Sequence, residues 1–323
     1  MPDFPTPPQP GGSGSSAGPA VPSPNAGSPW TPGDASGTTT AALQGRRVLL
    51  VEDNVVNQEV AVDLLRASGL AVDIASDGAE ALERVAAGRY DLVLMDVQMP
   101  VMDGLAATRA LRARFGPAPP IVAMTANAWA DRLTCLEAGM SDHLAKPIDP
   151  GLLQASLQRW LSPVAGLAPA AVASPALAPA STSAPTSAPP AVAPGGADAN
   201  RSLESALARI DGLNLPAALR SVGGRMALLE RILRRFCEHY GGRAGVLPDP
   251  AAPEGRAALA ASCHALRGAC ATIGAGALAA ALHDLEAAAS APSADLAALA
   301  AAAARIRTDL DSLLRGLANA LGR

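Results

Sequence analysis

Between residues 45 and 162, five short apolar runs alternate with five stretches of helical periodicity, and this alternation constrains the fold more than any other feature of the chain. Residues 47–51, 71–75, 92–95, 121–124 and 143–145 have the length and aliphatic content of buried strands. The stretches near 57–68, 79–87, 104–115, 130–138 and 151–161 carry the 3.6-residue period of amphipathic helices. Strands separated by helices must be joined by crossovers, so they run parallel and are covered on both faces. The expected fold is a doubly wound α/β domain with a five-stranded parallel sheet. In such folds ligands bind beyond the carboxyl ends of the strands, at the switch point of the strand order.

Those strand ends carry the chemistry. The first strand runs into Glu52-Asp53, the third ends in Asp96, the fourth in Thr125, and the fifth leads to Lys146-Pro147. Three carboxylates, a hydroxyl and an ammonium are therefore expected on one rim. Lys146 is the only lysine of the chain, against 24 arginines. A GC-rich coding bias accounts for the arginines but not for the exception, and a compact ammonium does work that a planar guanidinium cannot. Carboxylates are hard oxygen ligands, and a site with few protein ligands suits Mg²⁺. A crowded carboxylate can also attack phosphorus, and the phosphoryl charge then needs a metal, a cation and a donor. In this reading Glu52 and Asp53 hold the metal, Asp96 attacks, and Thr125 and Lys146 hold the phosphoryl oxygens. Any one such acid is commonly a helix cap or a solvated loop residue. Five at once on one rim are not so easily explained.

These residues stand in longer strings: Val48-Leu49-Leu50-Val51-Glu52-Asp53-Asn54 with Asn57, Leu94-Met95-Asp96-Val97-Gln98-Met99-Pro100, Met102-Asp103-Gly104, Met124-Thr125-Ala126-Asn127 and Lys146-Pro147-Ile148. Over residues 46–161 they resemble the flavodoxin-like receiver domains of two-component response regulators. The resemblance implies that Asp96 is the phospho-acceptor and that its carbonyl joins Glu52 and Asp53 on Mg²⁺. It implies a switch in which Thr125 moves toward the phosphoryl group and a ring residue follows. That ring position is His143 here, where the family more often has Tyr or Phe. The motif flavour looks like that of receivers attached to hybrid sensor kinases.

Residues 199–323 read as helices only, near 201–210, 216–222, 225–240, 254–273, 276–289 and 294–320. Leu259, Cys263, Leu266, Cys270 and Ile273 recur at spacings of 4, 3, 4 and 3, an apolar seam that makes both cysteines small core residues. At ~100° per residue, His264 lies roughly 140° from the centre of that seam. Its helical neighbours are Ala257, Ala260, Ala261, Gly268 and Ala271, with Arg267 one turn on. Glycine within a helix costs about 1 kcal/mol against alanine, and clearance for a docking partner would give Gly268 a reason. A neutral imidazole is a good phosphoryl acceptor, and a nearby arginine can offset the phosphate. Helix geometry alone favours an ordinary surface histidine in an alanine-rich helix. The string His264-Ala265-Leu266-Arg267-Gly268-Ala269, continued by Ile273-Gly274-Ala275, Leu278 and Leu285-Glu286, resembles the acceptor motif of histidine phosphotransfer (HPt) domains. The resemblance implies an all-α four-helix bundle with His264 as acceptor; the family usually has lysine where Arg267 stands. His239 and His283 read as solvated surface residues.

Composition places these blocks in the chain. Residues 1–44 hold ten prolines and residues 163–198 hold eight, with almost no charge, so both are expected to be disordered. The expected layout is a disordered segment 1–44, a receiver 45–162, a linker 163–198 and a helical domain 199–323. A 36-residue linker of flexible composition spans about 30–36 Å at ~5–6 Å × √n, enough for the two domains to meet at high effective concentration. The first domain holds 11 basic and 15 acidic residues, net −4; the second holds 14 and 11, net +3. Mutual docking fits these charges, and so do two unrelated surfaces. The chain as a whole is mildly acidic, −4, which gives no argument for nucleic acid, and residues 199–323 show no basic recognition helix. Four cysteines without a CxxC pair argue against zinc or a disulfide framework. No leader and no span of about 18 strongly apolar residues is seen, so a cytoplasmic protein without membrane insertion is expected.

The expected function is a phosphorelay: a histidine kinase phosphorylates Asp96, the group passes to His264, and a downstream receiver takes it. No block is left for a nucleotide-binding domain, so the chain is expected to be a transfer intermediate and not itself a kinase enzyme. A detached C-terminal portion or split partner of a hybrid histidine kinase, or a phosphate sink running the other way, fits the same residues. An aspartyl-phosphate hydrolase fits less well, because such enzymes want a second Asp two residues after the nucleophile, and residue 98 is Gln.

Overall fold

In the computed structural model of the chain, residues 43–126, 128–162, 195–242 and 246–322 are described. The proline-rich stretches 1–44 and 163–198 lie outside the described residues except for 43–44 and 195–198, as does Asn127 of the fourth receiver string. The elements run β1 (Arg47–Val51), α1 (Val55–Ala67), β2 (Ala71–Ala75), α2 (Gly78–Ala87), β3 (Leu92–Asp96), α3 (Gly104–Phe115), β4 (Ile121–Thr125), α4 (Ala128–Glu137), β5 (Asp142–Ala145) and α5 (Pro150–Leu161). The C-terminal region is wholly helical: α6 (Gly195–Leu207), α7 (Leu215–Ser221), α8 (Met226–Tyr240), α9 (Gly255–Thr272), α10 (Gly276–Ser290) and α11 (Leu296–Ala320).

All four strand pairings are parallel, in the order β2-β1-β3-β4-β5. The order reverses between β1 and β3, so the switch point falls where Glu52, Asp53 and Asp96 emerge. The ladder reaches one residue further than aliphatic content predicts: the Val97 amide donates to the Met124 carbonyl and the Lys146 amide to the Thr125 carbonyl. Asp96 and Thr125 are thus held by backbone pairing. Strands β3 and β4 are buried along their whole length, as a parallel sheet covered on both faces requires. On one face lie α2, α3 and α4, through Val85, Leu111 and Cys135 among others. On the other lie α1 and α5, through Val60, Leu64, Leu153 and Leu157.

Helix starts follow local chemistry. Asn54, Asp77, Asp103 and Asp149 cap α1, α2, α3 and α5 with their side chains, and Pro150 stands in the first turn of α5. Gly104 opens α3 tightly against the end of β3. A β-carbon there would lie 2.0 Å from the Asp96 carbonyl oxygen, so no other residue lets the loop close on the site. Helix α6 begins at Gly195, four residues inside the expected linker. Ala197 and Ala199 in its first turns are good helix formers.

Leu259, Cys263, Leu266, Cys270 and Ile273 are all fully buried, as the seam spacing predicts. They share one apolar core with Leu229, Ile232, Leu233 and Phe236 of α8, Leu282 of α10, and Ile306, Leu310 and Leu317 of α11. Burial pushes the Cys263 thiol up to about 12, so it is inert at neutral pH. The sheet domain and the helical region belong to one compact unit, Asp34–Arg323. The α1–α5 face of the sheet and the core of the C-terminal helices form one continuous apolar cluster.

Candidate functional site: an acidic rim facing a histidine

Glu52 and Asp96 are almost wholly buried, and one carboxylate oxygen each from Glu52, Asp53 and Asp96 lies within 4.8 Å of the others. Burial raises all three above the usual carboxylate range. Repulsion from Asp96 adds to the effect at Glu52, from Glu52 at Asp53, and from Asp53 at Asp96. The counter-charge is Lys146, whose Nζ lies 2.6 Å from Glu52 Oε2 and 2.6 Å from Asp96 Oδ2. Burial opposes its charge, but Asp96 and Glu52 outweigh that and raise the ammonium above its usual value. The single lysine thus occupies the centre of the rim. One ammonium does not neutralise three carboxylates, and a closely spaced, all-oxygen donor set fits a hard divalent cation.

Asp96 Oδ1 accepts from the Gln98 amide at 3.2 Å. Thr125 is buried at the end of β4, but its hydroxyl donates to Asp131 of α4; Ala126, and not Thr125, lines the cleft above Asp96. His143 sits within β5, partly exposed, 3.8 Å from Asp142 Oδ1, and is not among the cleft residues. The rim therefore gathers Glu52, Asp53, Asp96 and Lys146 and leaves Thr125 and His143 outside.

The opposite wall is α9. His264, Ala265, Arg267, Gly268 and Ala271 line the same cleft as Glu52, Asp53, Asn57, Asp96 and Lys146. The sequence leaves His264 open as a surface histidine; in the structure only 17% of its side chain is exposed, and it lines the cleft. Its Nδ1 lies 2.9 Å from Glu286 Oε1 and 3.0 Å from Arg267 Nη2, and Arg267 Nε donates to Glu286 Oε2 at 3.0 Å. Burial raises the Glu286 carboxyl, but the hydrogen bond and charge of His264 and the charge of Arg267 outweigh it and hold the group below its usual value. Glu286 only accepts and Arg267 only donates, so the two contacts at Nδ1 suit opposite tautomers; with the proton on Nδ1 the Glu286 contact is a hydrogen bond and the lone pair lies on Nε2. Glu286 has no role in the sequence reading beyond standing in the HPt string. Its position 22 residues after His264 carries no signal until α9 and α10 are packed together.

Contacts between the two walls use residues whose roles the sequence did not show. Asn54 accepts from the Val56 and Asn57 amides with Oδ1 and donates from Nδ2 to Tyr240 Oη at 2.8 Å and the Ala265 carbonyl at 2.7 Å. One side chain caps α1 and reads α8 and α9. Asn57 Nδ2 donates to Glu52 Oε1 at 2.9 Å, and Thr272 Oγ1 donates to Asn57 Oδ1 at 2.9 Å. Gly268 meets Asn57: an added β-carbon would lie 3.0 Å from Asn57 Nδ2. At the edge, Arg225 and Arg231 of the helical region pair with Asp63, and Arg231 also with Glu59. Every one of these pairs puts the acid on the sheet domain and the base on the helices, the sense of the two domains' net charges, which left docking open.

Comparison with known proteins agrees with this division. Residues 48–158 match the response regulator receiver domain family, and residues 219–317 match the Hpt domain family. The chain is 47% identical over 115 residues to hybrid signal transduction histidine kinase B of Dictyostelium discoideum, covering 32% of this chain and 6% of that protein. It is 43% identical over 120 residues to the aerobic respiration control sensor protein ArcB of Escherichia coli strain K12, covering 36% of this chain and 15% of that protein. It therefore spans only a small part of the length of these relatives. Among solved structures, the receiver domain of sensor histidine kinase PA1611 from Pseudomonas aeruginosa PAO1, with magnesium in its active-site cleft, is 50% identical. It covers 36% of this chain and 98% of that one at a TM-score of 0.35. Residues 48–158 are a response regulator receiver domain and residues 219–317 an Hpt domain, and the chain is a two-component protein that joins the two.

Proposed function

We propose that this chain is a phosphorelay intermediate in which Asp96 and His264 exchange a phosphoryl group directly across the cleft. One observation carries the reading: the acidic rim with its lysine and the Hpt histidine with its arginine line the same cleft. His264 stands close enough that charge on it acts on both Asp53 and Asp96.

In this reading a carboxylate oxygen of Asp96 attacks the phosphorus of a kinase phosphohistidine. A P–O bond forms, the P–N bond breaks, and the kinase imidazole leaves with its electron pair. Lys146 accompanies the group and keeps one positive charge on the rim. Glu52, Asp53 and Asp96 would hold Mg²⁺, which supplies charge neutralisation between two anions that could not otherwise approach. His264 then attacks through Nε2, the P–N bond forms, and Asp96 leaves as a carboxylate. Glu286 keeps the proton on Nδ1 during attack and faces the positive charge that develops on the ring. Thr125 would leave Asp131 and turn to a phosphoryl oxygen, with His143 following. A downstream receiver takes the group from His264. The chain transfers phosphoryl groups made elsewhere and needs no nucleotide of its own. A histidine kinase and a second receiver as partners support a cytoplasmic location. Among the described residues no helix is long and apolar enough to cross a membrane.

The test is a time course of label on the full chain from a small phosphodonor with Mg²⁺. Base-labile aspartyl phosphate should form first and acid-labile histidyl phosphate second. Asp96→Asn should abolish both, and His264→Gln only the second. Histidyl label in Asp96→Asn, or aspartyl label without any divalent cation, would refute the reading.

A further inference from the structure

We infer that Asn57 is a positioning residue that couples docking of the Hpt domain to the Glu52 arm of the acidic rim, with Thr272 as the Hpt group that sets it. The inference rests on the relay reading only in taking the rim as a cation site.

The chain of contacts is unbroken. Glu52 is buried, and both its oxygens are engaged, Oε2 by Lys146 at 2.6 Å and Oε1 by Asn57 Nδ2 at 2.9 Å. A carboxylate only accepts, so the Asn57 amide must turn its nitrogen to Glu52. Its oxygen then faces the helical region, where the Thr272 hydroxyl donates to it at 2.9 Å. Thr272 stands eight residues after His264, with Gly268 midway, so the three share one face of α9. A side chain at 268 would enter the space of Asn57 Nδ2. Thr272 is buried, and its own carbonyl is tied by Ser221 Oγ at 2.7 Å, so the hydroxyl is presented from a fixed frame. With the Hpt domain docked, Asn57 is held at both ends and holds Glu52 in one rotamer. Undocked, its oxygen faces solvent and the Glu52 arm is freer. A donor set fixed before the cation arrives binds it more tightly. By reciprocity, a bound cation strengthens docking by the same factor. The receiver would then grip its partner when loaded for transfer.

Calorimetric titration of Mg²⁺ into the full chain tests this. Thr272→Val keeps shape and loses the donor, and Asn57→Ala removes the link. Each should weaken Mg²⁺ binding about three- to tenfold, the range of one net hydrogen bond. The double variant should bind no more weakly than Asn57→Ala, and Thr272→Ser should bind as the parent chain does. If Thr272→Val fails to melt cooperatively, Thr272→Ala replaces it. Unchanged Mg²⁺ affinity in the folded Thr272 variant, or additive loss in the double variant, overturns the inference. Transfer from Asp96 to His264 in the same samples is a separate readout. Its absence in the parent chain defeats the relay and leaves the coupling standing; intact transfer with equal Mg²⁺ affinities defeats the coupling alone.

Discussion

At the scale of single residues, the rim is governed by how much like charge can be buried around one ammonium. Lys146 bridges Glu52 and Asp96 at 2.6 Å each, a geometry that suits a compact donor on a flexible stem. A guanidinium is larger and planar, and its fork cannot enter the same space. Lys146→Arg should therefore slow Asp96 phosphorylation by a small phosphodonor at least about tenfold although charge is kept, as read from initial rates of aspartyl label. Among the described residues Asp53 has no such bridge. Burial first and Glu52 second raise its carboxyl above the ordinary 3.8. A folded-state value above the unfolded one means that folding is favoured at pH below the ordinary value. That advantage is lost as pH rises through the folded value. Asp53→Asn should therefore raise the thermal midpoint of the metal-free chain at pH 7, and the gain should vanish near pH 3.5. Saturating Mg²⁺ should reverse the order, because ligand at 100 times its Kd adds about 2.7 kcal/mol to the chain that binds it. Thermal unfolding with and without EDTA at both pH values reads all four states.

At the scale of elements, α9 does two jobs on two faces. The Leu259–Ile273 seam anchors it in the apolar core, while His264, Gly268 and Thr272 form the wall of the cleft. The absence of a side chain at Gly268 matters on the second face only. Gly268→Gln should push against Asn57 and slow transfer to His264 about tenfold or more, whereas helix α9 should gain up to ~1 kcal/mol of intrinsic propensity. Slower transfer with an unchanged or higher thermal midpoint is the expected pair of results. Helix α1 is likewise double-sided: its apolar face covers the sheet, and Asn54, Asn57, Glu59 and Asp63 face the Hpt domain.

At the scale of the whole molecule, two domains of opposite net charge meet along α1, α8 and α9. Arg231 is half exposed, so its pairs are screened and each contributes roughly 0–1 kcal/mol. Their effect is on register and encounter more than on binding strength. Arg231→Glu in the full chain should slow internal transfer about two- to fivefold at low salt. Asp63→Arg added to it should restore part of the rate, and both effects should shrink at 0.5 M salt. Equal rates in all variants at low salt would show that apolar contact and the Asn54 hydrogen bonds alone set the register.

The sequence by itself determined the rim. Parallel strands of fixed period end on one edge, so Glu52, Asp53, Asp96 and Lys146 had to converge once their strands were recognised. The seam around Cys263 and Cys270 followed from a spacing that only a helix satisfies. The placement of His264 on a face of small residues followed from the same period. Tertiary structure decided what those residues meet. That Glu286 holds His264 Nδ1 depends on the packing of α10 against α9. That Thr125 turns to Asp131 depends on a rotamer. That Gly268 and Thr272 close on Asn57, and Asn54 on Tyr240, depends on how two domains dock through residues that stand 186 to 215 positions apart in sequence. Local periodicity determines which face of an element carries a side chain. Which other face it meets is set by side-chain packing and charge across the whole fold, and no local pattern encodes that.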